Sequence, residues 1–296
     1  MRIIRNAEFG GERPLYAEKD LRLENVVINP GESALKETAR IEAVGCEFKG
    51  KYPFWCTDGF TVEQCIFREG ARAALWYSKD CRMSDTLIEA PKMFREMDGV
   101  TLRKVRIPNA QETFWSCRDI DLEDVEVSGA DYIFMNSRDI RIRNYRQKGN
   151  YSFQYARNVE IRDAVLETKD AFWNSEDVTV YDSRINGEYL GWYSRNLRLV
   201  GCRISGTQPL CYAENLVLEN CIFDEDADLA FEYSTVQAGI LSPVTSVKNP
   251  RGGRIIAQCY GEIILDRNIK APGDCEILTW ENPDHDLSKE PQIVEY

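Results

Sequence analysis

The stretch FWSCRDIDLEDVEV, residues 114–127, returns in altered spelling as WYSRNLRLVGCRI, residues 192–204. Both carry an aromatic pair, a small polar residue, an Arg, an Asp or Asn, and then apolar residues alternating with charges. Traced outward, the pattern gives an apolar residue opening each unit at Leu21, Ile41, Phe60, Cys81, Val100, Ile120, Ile140, Val159, Val178, Leu197, Leu216 and, less clearly, Val236, in steps of 19 to 21 residues. A period of that size belongs to a solenoid, in which each coil buries its apolar face only by stacking on its neighbours.

Within a unit the next inward position lies two residues on (Leu23, Ala43, Val62, Leu102, Leu122), with polar residues between, which is the alternation of a strand. Columns of Asn, Asp and Gly flank that strand. One precedes it (Asp20, Gly59, Asp80, Gly99, Asp119, Asp139) and one follows it (Asn25, Gly45, Asp85, Asp124, Asn144), with Gln64 and Lys104 as exceptions. These residues tolerate left-handed backbone and bond their own main chain, so each coil has at least two fixed corners. Three short strands per coil and no helix describe an all-β fold, a single-stranded right-handed parallel β-helix of about 12 coils. Leucine-rich, pentapeptide and hexapeptide repeats fit less well, because neither their residue columns nor their shorter rhythms persist. The expected layout is a single domain over 1–296: an N-terminal strand or cap at 1–14, repeat coils at 15–240, C-terminal cap strands at 241–280, and an acidic tail at 281–296.

At 296 residues, 43% hydrophobic and 29% charged, the chain can bury a substantial core. No apolar run approaches the ~20 residues that span a bilayer, and the first residues carry no apolar leader, so the expectation is a cytoplasmic protein without a membrane partner. Ten cysteines without a C-x-x-C are expected to be free thiols, mostly buried, Cys46 with Cys65 and Cys202 with Cys221 as neighbours in a ladder. A net charge of -12 argues against nucleic acid, which needs clustered cations. The one histidine, His285, leaves no multi-histidine metal site.

A third segment precedes each unit. Its apolar column (Leu15, Leu35, Phe54, Leu75, Phe94, Phe114, Phe134) is interior, and its neighbour runs Tyr16, Lys36, Trp55, Trp76, Arg95, Trp115, Met135, Gln154, Trp173, Trp192, Cys211. Burying Lys36, Arg95 and Gln154 unpaired is costly, so that column is expected to face water or a groove. The next column (Tyr77, Glu96, Ser116, Asn136, Tyr155, Asn174, Tyr193) is also polar, and two successive wet positions imply a bulge or bend. Trp and Tyr spaced by about 4.8 Å suit pyranose stacking. The sugar-binding candidates are therefore Trp55, Trp76, Tyr77, Trp115, Asn136, Tyr155, Trp173, Asn174, Trp192 and Tyr193, with an Arg row (Arg118, Arg138, Arg157, Arg195) to attract acidic sugars. The competing reading is a ladder that only stabilises the coil, by about 0.5–1.5 kcal/mol per aromatic pair.

The coil KMFREMDG, residues 92–99, departs from the repeat and supplies the catalytic candidates Arg95, Glu96 and Asp98, with Asp58 two coils from Asp98 and hence about 9.6 Å away. That separation is marginally compatible with an inverting hydrolase. The layout resembles the pectin-lyase-like superfamily of right-handed β-helices, and the W-Y-S-x-N-L unit at 192–197 with FEYSTVQAGI…SVKNPRGGRI at 231–255 is similar to a bacterial family of unknown function, 3737. The resemblance implies a fold and no established activity. The calcium-ligand cluster and basic motifs of pectate lyases, and the Asp constellation of polygalacturonases, are not recognisable. The expected function is carbohydrate binding, as a glycoside hydrolase or polysaccharide lyase if catalytic, with no cofactor unless a lyase recruits calcium. The alternative is a non-catalytic scaffold forming homo-oligomers through its aromatic ladder.

Overall fold

The computed structural model describes residues 1–266, 268–269 and 272–290. The chain divides into two compact units, Met1–Gly149 and Asn150–Tyr296, and each is built of parallel coils. The fold is the right-handed parallel β-helix that the repeat implies. In the first unit, parallel pairing places Leu21, Ile41, Phe60, Cys81, Val100, Ile120 and Ile140 in one register column. In the second, Val159, Val178 and Leu197 share a column, and Leu216 pairs with Val236. The register continues past Val236, through Gly253 to Cys275. At Gly253 (φ +101°) a Cβ would lie 2.0 Å from the Val236 carbonyl oxygen, so only glycine fits.

The interior column is a stack of rings. Phe94, Phe114 and Phe134 are fully buried, with centroids 4.5 and 4.8 Å apart and planes within 5° of parallel. A mostly hydroxyl column follows three residues later and is satisfied from within. Ser78 Oγ donates to the Phe54 carbonyl and Ser137 Oγ to that of Phe114, each at 2.6 Å. Buried hydroxyls bonded in this way avoid the desolvation cost of an unpaired group.

The third strand largely gives way to corners. Two-residue strands pair at Leu75–Trp76 and Phe94–Arg95, and most other coils turn there instead. The two Asn/Asp/Gly columns are left-handed as expected, from Asp20 (φ 53°) to Asp119 (φ 54°) and from Asn25 (φ 52°) to Asp124 (φ 56°). Two further columns are left-handed as well. One contains Tyr52, Lys92, Glu112 and Tyr132, and the other contains Glu37, Cys56, Tyr77, Glu96, Ser116 and Asn136. The two successive polar positions in the sequence are therefore the two sides of a left-handed corner, which is the bend of the two expected alternatives.

At the C-terminal end, the Asp286 carboxylate accepts from the Ile277 and Ser288 amides, each at 3.0 Å, and so ties the segment after Trp280 to the strand Asp274–Thr279. The last part of the expected acidic tail, 291–296, lies outside the described residues. All ten cysteines are free, eight of them buried and Cys56 and Cys259 exposed.

Replacing Phe114 by Ala removes a ring stacked on both faces and is expected to destabilise the protein by about 3–5 kcal/mol in chemical denaturation. Thiol titration with an aromatic disulfide reagent is expected to detect two fast thiols in the native protein. The other eight should respond only on unfolding, and loss of Cys56 and Cys259 together should abolish the fast phase.

Candidate functional site

The corners at Glu37, Cys56, Tyr77, Glu96 and Ser116 are each held by the next coil. The Tyr77 amide donates to the Arg95 carbonyl (3.0 Å), that of Glu96 to Trp115 (2.8 Å), and that of Ser116 to Met135 (2.8 Å). The side chains just before and just after the corner therefore point to different places. Those before it form the tryptophan ladder, and those at and after it line a cleft.

In the ladder the aromatic faces cover one another. Trp55 and Trp76 have centroids 5.4 Å apart. The Arg95 guanidinium lies between Trp76 and Trp115, 4.4 and 4.6 Å from their ring centroids, and takes the place of a ring in a coil that has none. Glu112 faces Arg95 at 3.8 Å and Lys92 at 3.0 Å. The indole N–H groups of Trp76 and Trp115 donate to the carbonyls of Lys92 (2.8 Å) and Tyr132. Trp76 is thus covered on both faces, by Trp55 and Arg95, and Trp115 on one, by Arg95, with the polar edge of each indole bonded to backbone. Gln154 is buried, at 3% exposure, so the ladder column is not uniformly wet.

Beyond the corner, Tyr77, Lys79, Glu96, Asp98, Ser116, Arg118, Asn136 and Arg138 line an open cleft of about 560 Å³. Two rows face it. Corner residues supply Tyr77, Glu96, Ser116 and Asn136, and the first residue of each following strand supplies Lys79, Asp98, Arg118 and Arg138. Arg118 bonds Asp98, and this guanidinium holds the Asp98 carboxyl below its usual range. Among the described residues, Glu96, Ser116, Asn136 and Lys79 have no side-chain hydrogen bond or ion pair. The Cys117 thiol on the cleft floor is pushed up to about 12 by burial and is no nucleophile at neutral pH.

The second unit carries the same columns with different chemistry. Trp173 and Trp192 stack at 5.7 Å, and Tyr193, Tyr212 and Tyr233 follow at 5.0 and 5.2 Å. Tyr155, Asn174 and Tyr193 sit at left-handed corners, with Tyr155 and Tyr193 exposed. Arg157 and Arg195 alternate with Glu176 and Glu214 in ion pairs of 3.3–3.6 Å, so this part of the Arg row is neutralised.

A family model described as protein of unknown function (DUF3737) matches residues 2–278. The chain belongs to the DUF3737 family. No curated protein matches it in sequence. Among solved structures, this DUF3737 protein is similar to the A-module of the Azotobacter vinelandii mannuronan C-5 epimerase AlgE4. Identity is 8%, with 80% of this chain and 90% of that one covered, at a TM-score of 0.38. It is also similar to the tailspike of Escherichia coli bacteriophage HK620, solved with a pentasaccharide, at 9% identity, 94% and 70% coverage and a TM-score of 0.31. The pentapeptide-repeat protein HetL of Nostoc is 12% identical over 86% and 87%, with a TM-score of 0.22. At these scores the likenesses carry no argument about activity.

In the DUF3737 protein, Glu96 and Asp98 share the cleft with Tyr77 and Asn136, whereas Arg95, Trp76 and Trp115 belong to the ladder on the other side of the corner. Trp55 is in the ladder too. Asp58 lies in register with Lys79, which lies in register with Asp98, so a cation stands between the two aspartates. Lys79, which the sequence offers with Arg95 as a base for a lyase, lines the cleft, and so does Ser116, which is not among the site candidates. Among the described residues, no helix is long and apolar enough to cross a membrane. Among the described residues, no group of three or more His, Cys, Asp or Glu side chains is placed to hold a metal ion.

Because ionised Asp98 is favoured in the fold, its stabilising contribution is complete above the ordinary carboxylate pKa and is lost as pH falls through the lowered value. A carboxyl-detected NMR titration is expected to show Asp98 titrating below the ordinary aspartate value, and Arg118→Ala to raise it.

Proposed function

We propose that this protein binds an acidic carbohydrate chain in the cleft between the corner row and the strand-start row. The observation that carries the reading is the set of polar side chains left unpartnered in one place. Many outward charges are matched across coils, as in Arg22 with Glu42 and Arg40 with Asp20, both at 2.6 Å. In the cleft, Glu96, Ser116, Asn136 and Lys79 have no partner among the described residues, and parallel register sets Arg118 directly beside Arg138. Like charges in neighbouring register positions are unfavourable in a sheet, and a ligand carboxylate between them would relieve that repulsion. The amide and hydroxyl groups of Asn136, Ser116 and Tyr77 suit sugar hydroxyls, at intervals of about 4.8 Å.

Of the catalytic candidates that line the cleft, Glu96 is the one free to move a proton, as hydrolytic acid or base or as the base of a β-elimination. Asp98 is tied to Arg118 as a carboxylate and orients that guanidinium. In an elimination, Lys79, Arg118 and Arg138 would neutralise the sugar carboxylate, the role that calcium fills in the lyase reading.

The test is calorimetric titration with uronate oligosaccharides and with their neutral counterparts. Uronates are expected to bind, and Arg118→Ala to weaken binding by about 10- to 100-fold, as loss of a charge-assisted hydrogen bond implies. Glu96→Gln should preserve binding and abolish any turnover. Failure of every acidic oligosaccharide to bind the wild type would overturn the reading. A second reading, self-association through the aromatic ladder, draws on the exposed tyrosine Tyr193, 51% accessible and stacked on Tyr212. It requires a dimer in light scattering that Tyr193→Ser dissociates.

A further inference from the structure

A different aromatic stands outside the ladder. Trp280 follows the strand Asp274–Thr279, and its indole N–H reaches back 40 residues to donate to the Ile240 carbonyl at 2.7 Å. Its six-membered ring lies against Gly239, where a Cβ would stand 3.6 and 3.7 Å from the ring carbons Cζ2 and Cη2. The ring is therefore fixed and its one polar atom satisfied, yet 48% of the residue is exposed. None of the aromatic neighbours that cover the ladder tryptophans covers this one.

The exposed part of Trp280 borders a cleft of about 670 Å³ that also presents Asn220, Gln237 and Arg254. That volume falls within the roughly 300–1,000 Å³ typical of small-ligand sites. Gln237 and Arg254 lie in register on neighbouring strands. The Asn220 and Gln237 side-chain amides have no bond partner among the described residues. The charges present are already balanced, Glu219 by Arg198 at 2.8 Å and Arg254 by Glu276 at 3.8 Å.

From these features we infer that the Trp280 cleft is a second saccharide site, one that takes a neutral sugar. A fixed indole offers an apolar ring to the C–H face of a pyranose, and free amides both donate to and accept from hydroxyls. The internal charge balance gives an anionic or cationic ligand no advantage. A peptide fits less well, because strand addition needs a free sheet edge, and the strands that line the cleft, Leu216–Phe223, Thr235–Ile240 and Gly252–Ala257, are paired on both sides, whereas the edge strand Asp274–Thr279 does not line it. A polyproline segment needs a row of aromatic ridges, and the cleft supplies one ring.

The experiment is ¹H–¹⁵N NMR of the full chain, following the indole N–H signals, with the Trp280 resonance assigned by its loss in Trp280→Phe. The probes are neutral gluco-, xylo-, manno- and N-acetylglucosamine oligosaccharides, with a proline-rich peptide as the contrasting ligand. The expected result is a saturable shift of the Trp280 signal with at least one neutral oligosaccharide. Gln237→Ala should weaken that affinity about tenfold and Trp280→Ala abolish it, whereas Arg118→Ala should leave it unchanged. Gln237 is an exposed side chain, so its variant reads the site even if the Trp280 variant loosens the segment that follows. The inference is overturned if no neutral sugar moves the Trp280 signal, if affinity survives Gln237→Ala undiminished, or if only the peptide shifts it. These outcomes are independent of uronate binding in the first unit, so either site can fail alone.

Discussion

The whole arrangement depends on single residues held at positive φ. An L-residue in that conformation costs roughly 1–2 kcal/mol, least for Gly, Asn and Asp. Each coil meets the requirement about four times, at corners such as Asp85, Lys92, Glu96 and Gly99. Repetition makes it tolerable. The corner amide donates to a carbonyl of the adjacent coil, as from Glu96 to Trp115 at 2.8 Å, and the side chains on either side stack on copies of themselves. A corner of this type cannot be stable in one coil alone, which is why the fold exists only as a stack.

The same constraint explains why the surface is a set of charge ladders. Parallel register brings every outward residue beside its equivalent in the next coil, so a column of one sign would repel. The chain answers by alternation, visible in Arg157, Glu176, Arg195 and Glu214, and in Asp58, Lys79, Asp98 and Arg118. The second sequence breaks its own rule at the next step, where Arg138 follows Arg118. The break coincides with the cleft, so the local cost and the unpartnered polar groups occupy one place.

Much of this was legible in the sequence, and the reason is chemical. Two of the corner columns are written in Asn, Asp and Gly, residues whose backbone preferences announce the turn, and the apolar columns between them fix the period and the register. The other two corners hold Tyr, Lys, Glu, Ser and Cys, as at Tyr77, Lys92 and Ser116, because hydrogen bonds from the neighbouring coil override propensity there. Their positions could be inferred only as an irregularity between two polar columns. That ambiguity had one consequence for the candidate site. Arg95, Glu96 and Asp98 are close in sequence, but the unseen corner sends Arg95 to the tryptophan ladder and the two carboxylates to the cleft.

The tryptophans show how a repeat can mislead about recognition. A row of indoles at the spacing of sugar rings suggests a stacking platform, but the spacing that would suit a sugar also lets each indole cover the next. Trp76 and Trp115 enclose Arg95, and their N–H groups are bonded to backbone carbonyls, so this part of the ladder holds together without a ligand. An aromatic becomes available for recognition when it lacks a copy in the adjacent coil. Trp280 meets that condition because it lies outside the repeat and rests on Gly239, with its ring supported from below and half of it open. In a stacked fold, departures from the period identify recognition surfaces better than the periodic features do, since the periodic side chains already have one another as partners.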